Sequence, residues 1–169
     1  MEQEYIVYVD CDGVIADFNS EFFVLSKMKY GEGLYPEPFI STYSKSKFWN
    51  LIDSAGEGFW SDMPLMPGAK DLMGFIYDNF LHMKILTAST RKPESKSGKR
   101  KWIRRHFSFI SNSDVIIVEE RALKAKYAST NSILIDDMTG NIDKWVSNGG
   151  IGILYKSAQE TIKELQKYV

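Results

Sequence analysis

Short apolar runs recur along the chain, and a longer segment of helical character follows each of them. The runs lie at Tyr5 to Val9, Met83 to Leu86, Val115 to Val118, Ile133 to Ile135, and Ile151 to Leu154. They are apolar at consecutive positions and separated by segments of crossover length, which is typical of parallel strands covered by helices on both faces. The pattern predicts an α/β fold with a parallel five-stranded sheet.

The segment after the first strand departs from this rhythm. Between residues 17 and 66 lie 11 of the 23 aromatic residues, without a convincing buried strand. We interpret residues 17–65 as an inserted subdomain. Its rings either form a small core of their own, which composition alone favours, or close as a lid over a flat ligand.

Polar residues follow several predicted strands. Because ligands of open parallel sheets bind beyond the carboxyl ends of the strands, these residues form the candidate site. Strand alternation would direct Asp10 and Asp12 to one side and Cys11 to the other. Several carboxylates that face one point repel each other unless a hard cation such as Mg²⁺ is bound, and a lysine and a hydroxyl beside them suit a phosphate. The residues concerned are Asp10, Asp12, Thr87, Asp136 and Asp137, with Lys124 and Lys126 shortly before strand four.

Composition narrows the class of protein. The chain has 169 residues, a net charge of -1 and a single cysteine. It can bury one core with a modest insertion, and its charge argues against coating nucleic acid or membranes by charge alone. An intrachain disulfide is excluded. Since the first strand begins at about Tyr5 and no apolar run approaches the length of a membrane span, we expect a cytoplasmic protein without a signal peptide or a membrane partner.

A basic segment spans residues 91–105, where eight of 15 residues are Lys or Arg and only Glu94 is acidic. Such a run is usually the solvated face of a helix, here with Trp102, Ile103 and Phe107 turned inward. A role in holding an anionic substrate is the alternative.

The motifs together resemble the haloacid dehalogenase (HAD) superfamily of phosphohydrolases. The resemblance rests on Asp10-Cys-Asp12-Gly-Val-Ile, on Thr87 after a hydrophobic strand, on a lysine, and on Leu134-Ile-Asp136-Asp137. Within the superfamily, three stretches resemble the 5′(3′)-deoxyribonucleotidases: residues 10–18, Phe59-Trp60 followed by Pro64-Leu-Met-Pro67-Gly68-Ala69, and Trp102-Ile-x-x-His106-Phe107. The resemblance implies a Rossmann-like HAD core of residues 1–16 and 66–169, and a small, mainly helical cap of residues 17–65.

The resemblance also implies a role for each site residue. Asp10 would be the nucleophile and Asp12 the general acid and base. Mg²⁺ would be held by Asp10, the backbone carbonyl of Asp12 and the Asp136–Asp137 pair, and which of that pair is the direct ligand stays open. Thr87 and Lys126 would bind the phosphate, with Lys124 as the competing choice for the lysine. Lys99 would be an additional phosphate ligand. Phe18 and Trp60 would contact a nucleobase.

Three functions are open. The favoured one is a Mg²⁺-dependent phosphomonoesterase of the 5′-nucleotidase type, which hydrolyses deoxynucleoside monophosphates through an aspartyl phosphate. The second is a HAD phosphatase for another small phosphate ester or a polynucleotide end, although nucleic acid is the less expected partner. The third is a non-catalytic nucleotide-binding protein, disfavoured because the nucleophile is retained. A homodimer is an open alternative to a monomer.

Overall fold

Five parallel strands form one sheet in the computed structural model, which describes residues 4–169. The strands are β1 (Ile6–Val9), β2 (His82–Ala88), β3 (Val115–Val118), β4 (Ser132–Asp136) and β5 (Ile151–Leu154). Their order is β3-β2-β1-β4-β5, and every neighbouring pair is parallel. The predicted α/β class, the parallel sheet and the number of strands are confirmed.

The central strand β1 is apolar on both faces because both are covered. Val7 and Val9 are fully buried on one face, and Tyr8 is buried on the other. On the Tyr8 face, its ring meets Trp145 edge-on with centroids 5.2 Å apart. Helices α5 (Ala69–Asn79), α7 (Thr139–Ser147) and α8 (Ala158–Leu165) belong to the same unit as the sheet.

The chain divides into two compact units. The sheet unit contains the described residues up to Ala16, together with Leu65–Ser89 and Phe109–Val169. The second unit, here called the helical unit, contains Asp17–Pro64 and Thr90–Ser108. Its helices are α1 (Phe18–Tyr30), α2 (Pro36–Thr42), α3 (Lys45–Ala55), α4 (Glu57–Ser61) and α6 (Pro93–His106).

Aromatic rings form the core of the helical unit. Phe22 is fully buried, and its ring centroid lies 4.6 Å from that of Phe48 and 5.1 Å from that of Phe39. Such close, inclined ring pairs stabilise a core beyond the area they bury. The expectation that the insertion has an aromatic core of its own is therefore fulfilled for these rings.

Residues 90–108 differ from the expected division, which assigned them to the sheet unit. The reason is the close packing of α6 on α4. Gly98 lets the helices approach, since a Cβ built there would lie 2.6 Å from Trp60 Cβ and 2.7 Å from the backbone oxygen of Glu57. Trp102 Nε1 also donates a 2.7 Å hydrogen bond to the carbonyl oxygen of Met63. These contacts bind α6 to residues 57–63.

None of the helices in residues 4–169 combines the length and the apolar character that crossing a bilayer requires.

We predict opposite effects for two glycine-to-alanine changes within helices. Gly98→Ala should lower the free energy of unfolding by ~1–3 kcal/mol, because the added methyl group overpacks the contact with α4. Gly74→Ala is the matched control, since nothing lies within 4 Å of a Cβ at Gly74 in α5. It should raise stability by up to ~1 kcal/mol through helix propensity. Urea unfolding followed by circular dichroism measures both, and a stabilised Gly98→Ala variant would contradict the packing of α6 on α4.

Candidate active site

Two aspartates lie at equivalent positions where β1 and β4 end. The register pairs Val9 with Ile135, so that Asp10 and Asp136 are the next residues on neighbouring strands. The backbone N–H of Asp10 donates a 2.9 Å hydrogen bond to the carbonyl oxygen of Ile135. The chain leaves β1 toward one edge of the sheet and β4 toward the other. In open α/β sheets, the binding crevice lies beyond the carboxyl ends of two such neighbouring strands.

A tight turn follows Asp10, and this corrects the expected strand alternation. Because β1 ends at Val9, Asp10, Cys11 and Asp12 do not alternate across a strand. Asp12 is half-buried within the turn. The carbonyl oxygen of Cys11 accepts hydrogen bonds from three successive backbone N–H groups, those of Val14, Ile15 and Ala16.

Gly13 brings this turn against Asp137. Its φ is +80°, a conformation that residues with a Cβ rarely adopt. A Cβ at this position would lie 2.3 Å from Asp137 Oδ2. Glycine is therefore required at position 13 for two reasons: the backbone conformation, and the space that the carboxylate of Asp137 occupies.

Lys124, and not Lys126, lies between the two strand-end aspartates. Its Nζ is 2.9 Å from Asp10 Oδ1 and 2.7 Å from Asp136 Oδ2, and its side chain is 3% exposed. Both lysines lie in the 3₁₀ segment Arg121–Tyr127, where Lys126 is exposed. Residues two apart in a 3₁₀ turn point about 240° apart around the axis, so only one of them can face the site. The structure thus corrects the choice of Lys126.

Asp136 is held from three sides. Besides Lys124, the backbone N–H of Met138 donates to Oδ1 at 2.9 Å. Asn141 Nδ2 lies 3.1 Å from Oδ1 and 3.0 Å from Oδ2. The sequence analysis missed Asn141, which could have been found because it falls in the first turn of the helix that follows the aspartate pair. These bonds fix the orientation of a fully buried carboxylate.

Three carboxylates gather at this point. Asp10, Asp136 and Asp137 each offer an oxygen within 4.8 Å of the others. Burial, followed by the charges of Asp10 and Asp136, raises the pKa of Asp137 to about 7. Burial and the charge of Asp10 likewise raise the pKa of Asp136. Burial disfavours the ammonium of Lys124, but the charges of Asp10 and Asp136 outweigh it and raise the pKa of Lys124.

One lysine thus leaves an excess of negative charge among these carboxylates. Although Asp137 keeps exposed surface as a residue, its carboxylate packs against the turn at Gly13. Carboxylate oxygens in this number are the ligands that hard divalent cations prefer. The three residues therefore fit a divalent cation such as Mg²⁺.

Two hydroxyl groups lie near the end of β2. Thr87 is 1% exposed and is the sixth residue of that strand. Ser89 lies two residues further on, and its buried Oγ has no hydrogen-bond partner within residues 4–169. Sequence reasoning missed Ser89, although its spacing of two from Thr87 is the period of a strand face.

The other predicted site residues lie in the helical unit. Trp60 is 4% exposed and packs 5.9 Å from the half-buried ring of Phe18, measured between centroids. Lys99 is fully buried, and its Nζ lies 5.2 Å from the centroid of the Trp60 ring. The surroundings of Trp60 favour a packing role for that ring.

A parallel sheet of this order, with an aspartate after β1 and an aspartate pair at the end of β4, is the arrangement of HAD-type hydrolases, and the chain has their fold. Its sequence matches the family described as 5′ nucleotidase, deoxy (pyrimidine), cytosolic type C protein (NT5C) over residues 4–166. The chain belongs to this family. No curated protein matches it in sequence.

Solved structures of bacterial hydrolases share the fold. A hydrolase from Streptococcus pneumoniae TIGR4 has a TM-score of 0.62 and 14% identity, with 97% of this chain and 99% of that chain covered. A HAD-superfamily hydrolase from Ehrlichia chaffeensis has a TM-score of 0.59 and 15% identity, covering 99% and 98%. D,D-heptose 1,7-bisphosphate phosphatase from Burkholderia thailandensis has a TM-score of 0.53 and 8% identity, covering 96% and 99%. At such identities the likeness concerns the fold alone.

We predict that Lys124→Met strongly destabilises the metal-free protein, whereas Lys126→Met does not. Removing the ammonium leaves the carboxylates of Asp10 and Asp136 buried without their cation, which typically costs ~3–5 kcal/mol. An exposed lysine changes stability by about 0.5 kcal/mol or less. The two variants should converge as the pH falls, because the pKa of Asp136 is raised and its protonated carboxyl group no longer needs the cation. Urea unfolding across this pH range measures the difference, and equal losses at neutral pH would refute the assignment of Lys124.

Proposed function

We propose that the protein is a Mg²⁺-dependent phosphomonoesterase of the 5′-nucleotidase type, which hydrolyses deoxynucleoside monophosphates to nucleoside and phosphate. The observation that carries this proposal is the contact of Lys124 Nζ with both Asp10 and Asp136. A buried cation between a strand-end carboxylate and an acidic cluster provides what a nucleophilic attack on a phosphate anion requires, since it screens the repulsion between two negative groups.

Asp10 is the proposed nucleophile. Its Oδ1 accepts a 2.8 Å hydrogen bond from the backbone N–H of Cys11 and also contacts Lys124. Within the described residues, the contacts of this carboxylate involve Oδ1, so Oδ2 is the oxygen that would attack. A new bond then forms between Oδ2 and phosphorus while the bond from phosphorus to the sugar oxygen breaks, giving an aspartyl phosphate and an alcohol.

Asp12 supplies the proton in this proposal. It donates to the leaving sugar oxygen in the first step, and in the second it takes a proton from the water that attacks phosphorus and releases the Asp10 carboxylate. Thr87 and Lys124 would bind the phosphoryl oxygens and stabilise the charge that develops on them. Mg²⁺, held by Asp10, the backbone carbonyl of Asp12 and the Asp136–Asp137 pair, would neutralise part of the same charge.

The nucleotide preference rests on family membership and on one ring. Phe18 is half-buried in the helical unit and is thus less enclosed than Trp60, which is 4% exposed. We propose Phe18 as the residue that stacks on the nucleobase, and Lys99 as an additional phosphate ligand. Trp60, which the resemblance also assigns to the base, is assigned here to the aromatic core. A HAD phosphatase for another small phosphate ester is the remaining candidate.

A substrate panel with Phe18 variants tests the proposal. We expect Mg²⁺-dependent phosphate release from deoxynucleoside monophosphates, and a KM raised roughly tenfold in Phe18→Ala, since stacking of a base on an aromatic ring contributes ~1–3 kcal/mol. Turnover of para-nitrophenyl phosphate should barely change. Trp60→Ala is the comparison for a packing ring, and it should lower the free energy of unfolding by ~3–5 kcal/mol.

Two results would count against the nucleotidase. If Phe18→Ala impaired hydrolysis of both substrates equally and also lowered the melting temperature, the Phe18 ring would have a packing role. The proposed contact of Phe18 with the nucleobase would then be refuted. If the wild-type protein hydrolysed sugar phosphates well and nucleotides poorly, the phosphatase chemistry would stand with another substrate.

A further inference from the structure

A buried hydroxyl group at the carboxyl end of β2 lacks a hydrogen-bond partner in the described part of the chain. It belongs to Ser89, which follows the last residue of β2, and its Oγ is buried without a partner within residues 4–169. Buried polar side chains of native proteins are nearly always hydrogen-bonded, because an unpaired one loses its hydration without compensation. The unpaired hydroxyl of Ser89 therefore indicates a ligand that is not part of the chain.

The sheet fixes the position of Ser89. Its backbone N–H donates a 2.9 Å hydrogen bond to the carbonyl oxygen of Val118, the last residue of β3. Because the register pairs Ala88 with Val118, this bond extends the pairing with β3 by one residue beyond β2. The hydroxyl is thus carried by a rigid element, which gives a ligand contact the precision that a loop lacks.

The register of β1 and β2 gives the height of Ser89 relative to the proposed nucleophile. The pairing of the two strands continues to Val9, so Asp10, the next residue, comes level with Leu86. Each residue of a parallel strand adds ~3.3 Å along the strand direction. Thr87 therefore lies one residue beyond the level of Asp10, and Ser89 lies three residues, or ~10 Å, beyond it.

At these heights, Thr87 and Ser89 would meet different parts of a phosphate ester. In-line displacement places the leaving oxygen on the side of phosphorus opposite to the attacking oxygen. With Asp10 as the attacking group, the leaving alcohol would extend away from the strand ends, since ligands of open α/β sheets enter from beyond them. Thr87 would then lie at the level of the phosphoryl group, and Ser89 further out, at the level of the alcohol.

We propose that the hydroxyl of Ser89 forms a hydrogen bond with the 3′-hydroxyl group of the substrate's sugar. This assignment rests on the proposed function, the hydrolysis of deoxynucleoside monophosphates. In a 2′-deoxynucleoside 5′-monophosphate, the 3′-hydroxyl is the one hydroxyl group that the sugar retains. A serine hydroxyl both donates and accepts, so it can pair with that group in either direction. Ser89 is thereby a specificity-determining residue for the sugar and not a phosphate ligand.

The test compares a deoxynucleoside 5′-monophosphate with its 2′,3′-dideoxy analogue, which lacks only the 3′-hydroxyl group. The wild type should have a kcat/KM about tenfold higher for the deoxynucleotide, because the analogue leaves the buried hydroxyl of Ser89 unpaired in the complex. Ser89→Ala should bring the two kcat/KM values to within about twofold of each other, by losing activity on the deoxynucleotide. Its hydrolysis of para-nitrophenyl phosphate should equal that of the wild type. Steady-state phosphate release in the presence of Mg²⁺ measures each value.

The melting temperature of the substrate-free protein separates a binding role from a packing role. Removing a buried hydroxyl that has no partner also removes the penalty for its desolvation, so Ser89→Ala should keep or raise the melting temperature. Ser132→Ala is the matched control, because Ser132 Oγ donates to the carbonyl oxygen of Ser129 at 2.9 Å and accepts from its backbone N–H at 2.8 Å. The control should lower the melting temperature by roughly 2–4 °C and leave the preference for the deoxynucleotide unchanged.

Two results would overturn the role of Ser89 while the nucleotidase stands. One is a wild type that hydrolyses the deoxynucleotide and the dideoxy analogue equally well. The other is a Ser89→Ala variant that loses the same factor on both nucleotides and on para-nitrophenyl phosphate, which would make Ser89 a phosphate ligand or a packing residue. If the wild type releases no phosphate from any nucleotide, the proposed function fails and this assignment fails with it. Should Ser89→Ala not fold, Ser89→Gly carries the same expectation.

Discussion

The ammonium of Lys124 is the charge on which the arrangement of the site depends. It is almost fully buried between Asp10 and Asp136, two carboxylates that the register of β1 and β4 places next to each other. Without this cation the strand ends would repel each other, and with it the cluster still carries excess negative charge through Asp137. Burial and then this excess of charge raise the pKa of Asp137, and the excess also accounts for the fit to a divalent cation.

The sequence was sufficient to predict the five strands and the aspartates at the ends of β1 and β4. Apolar runs covered on both faces have a strong pattern, and the aspartates were found because the carboxyl ends of parallel strands meet at one edge. The pattern could not separate Lys124 from Lys126, since the orientation of the 3₁₀ segment about its own axis decides which side chain faces the site. It also could not show that Asp10, Cys11 and Asp12 do not alternate, because the turn after Asp10 depends on Gly13 and on hydrogen bonds to the carbonyl oxygen of Cys11.

The division of the chain into two units differs from the sequence prediction at residues 90–108. Residues 91–105 include eight basic residues, a pattern that predicts a solvated helix. In the structure, α6 instead packs closely on α4, because Gly98 has no side chain to hold the two helices apart. Only the three-dimensional contact reveals this, since the partners lie about forty residues apart, as Trp102 and Met63 do. The same contact pairs Lys101 with Glu57 and brings Arg105 to Asp62, which a count of charges along the chain conceals.

The most direct measurement of the central claim is phosphate release by Asp10→Asn. Asparagine keeps an oxygen for Lys124 and for the N–H of Cys11, so the fold and the melting temperature should be retained. Uncatalysed hydrolysis of phosphate esters is so slow, with enzymatic enhancements up to ~10²¹, that loss of the nucleophile cannot be masked. We predict no turnover above background in a folded variant. Substantial residual activity, in a preparation shown to be free of contaminating phosphatases, would contradict Asp10 as the nucleophile that Lys124 holds in place.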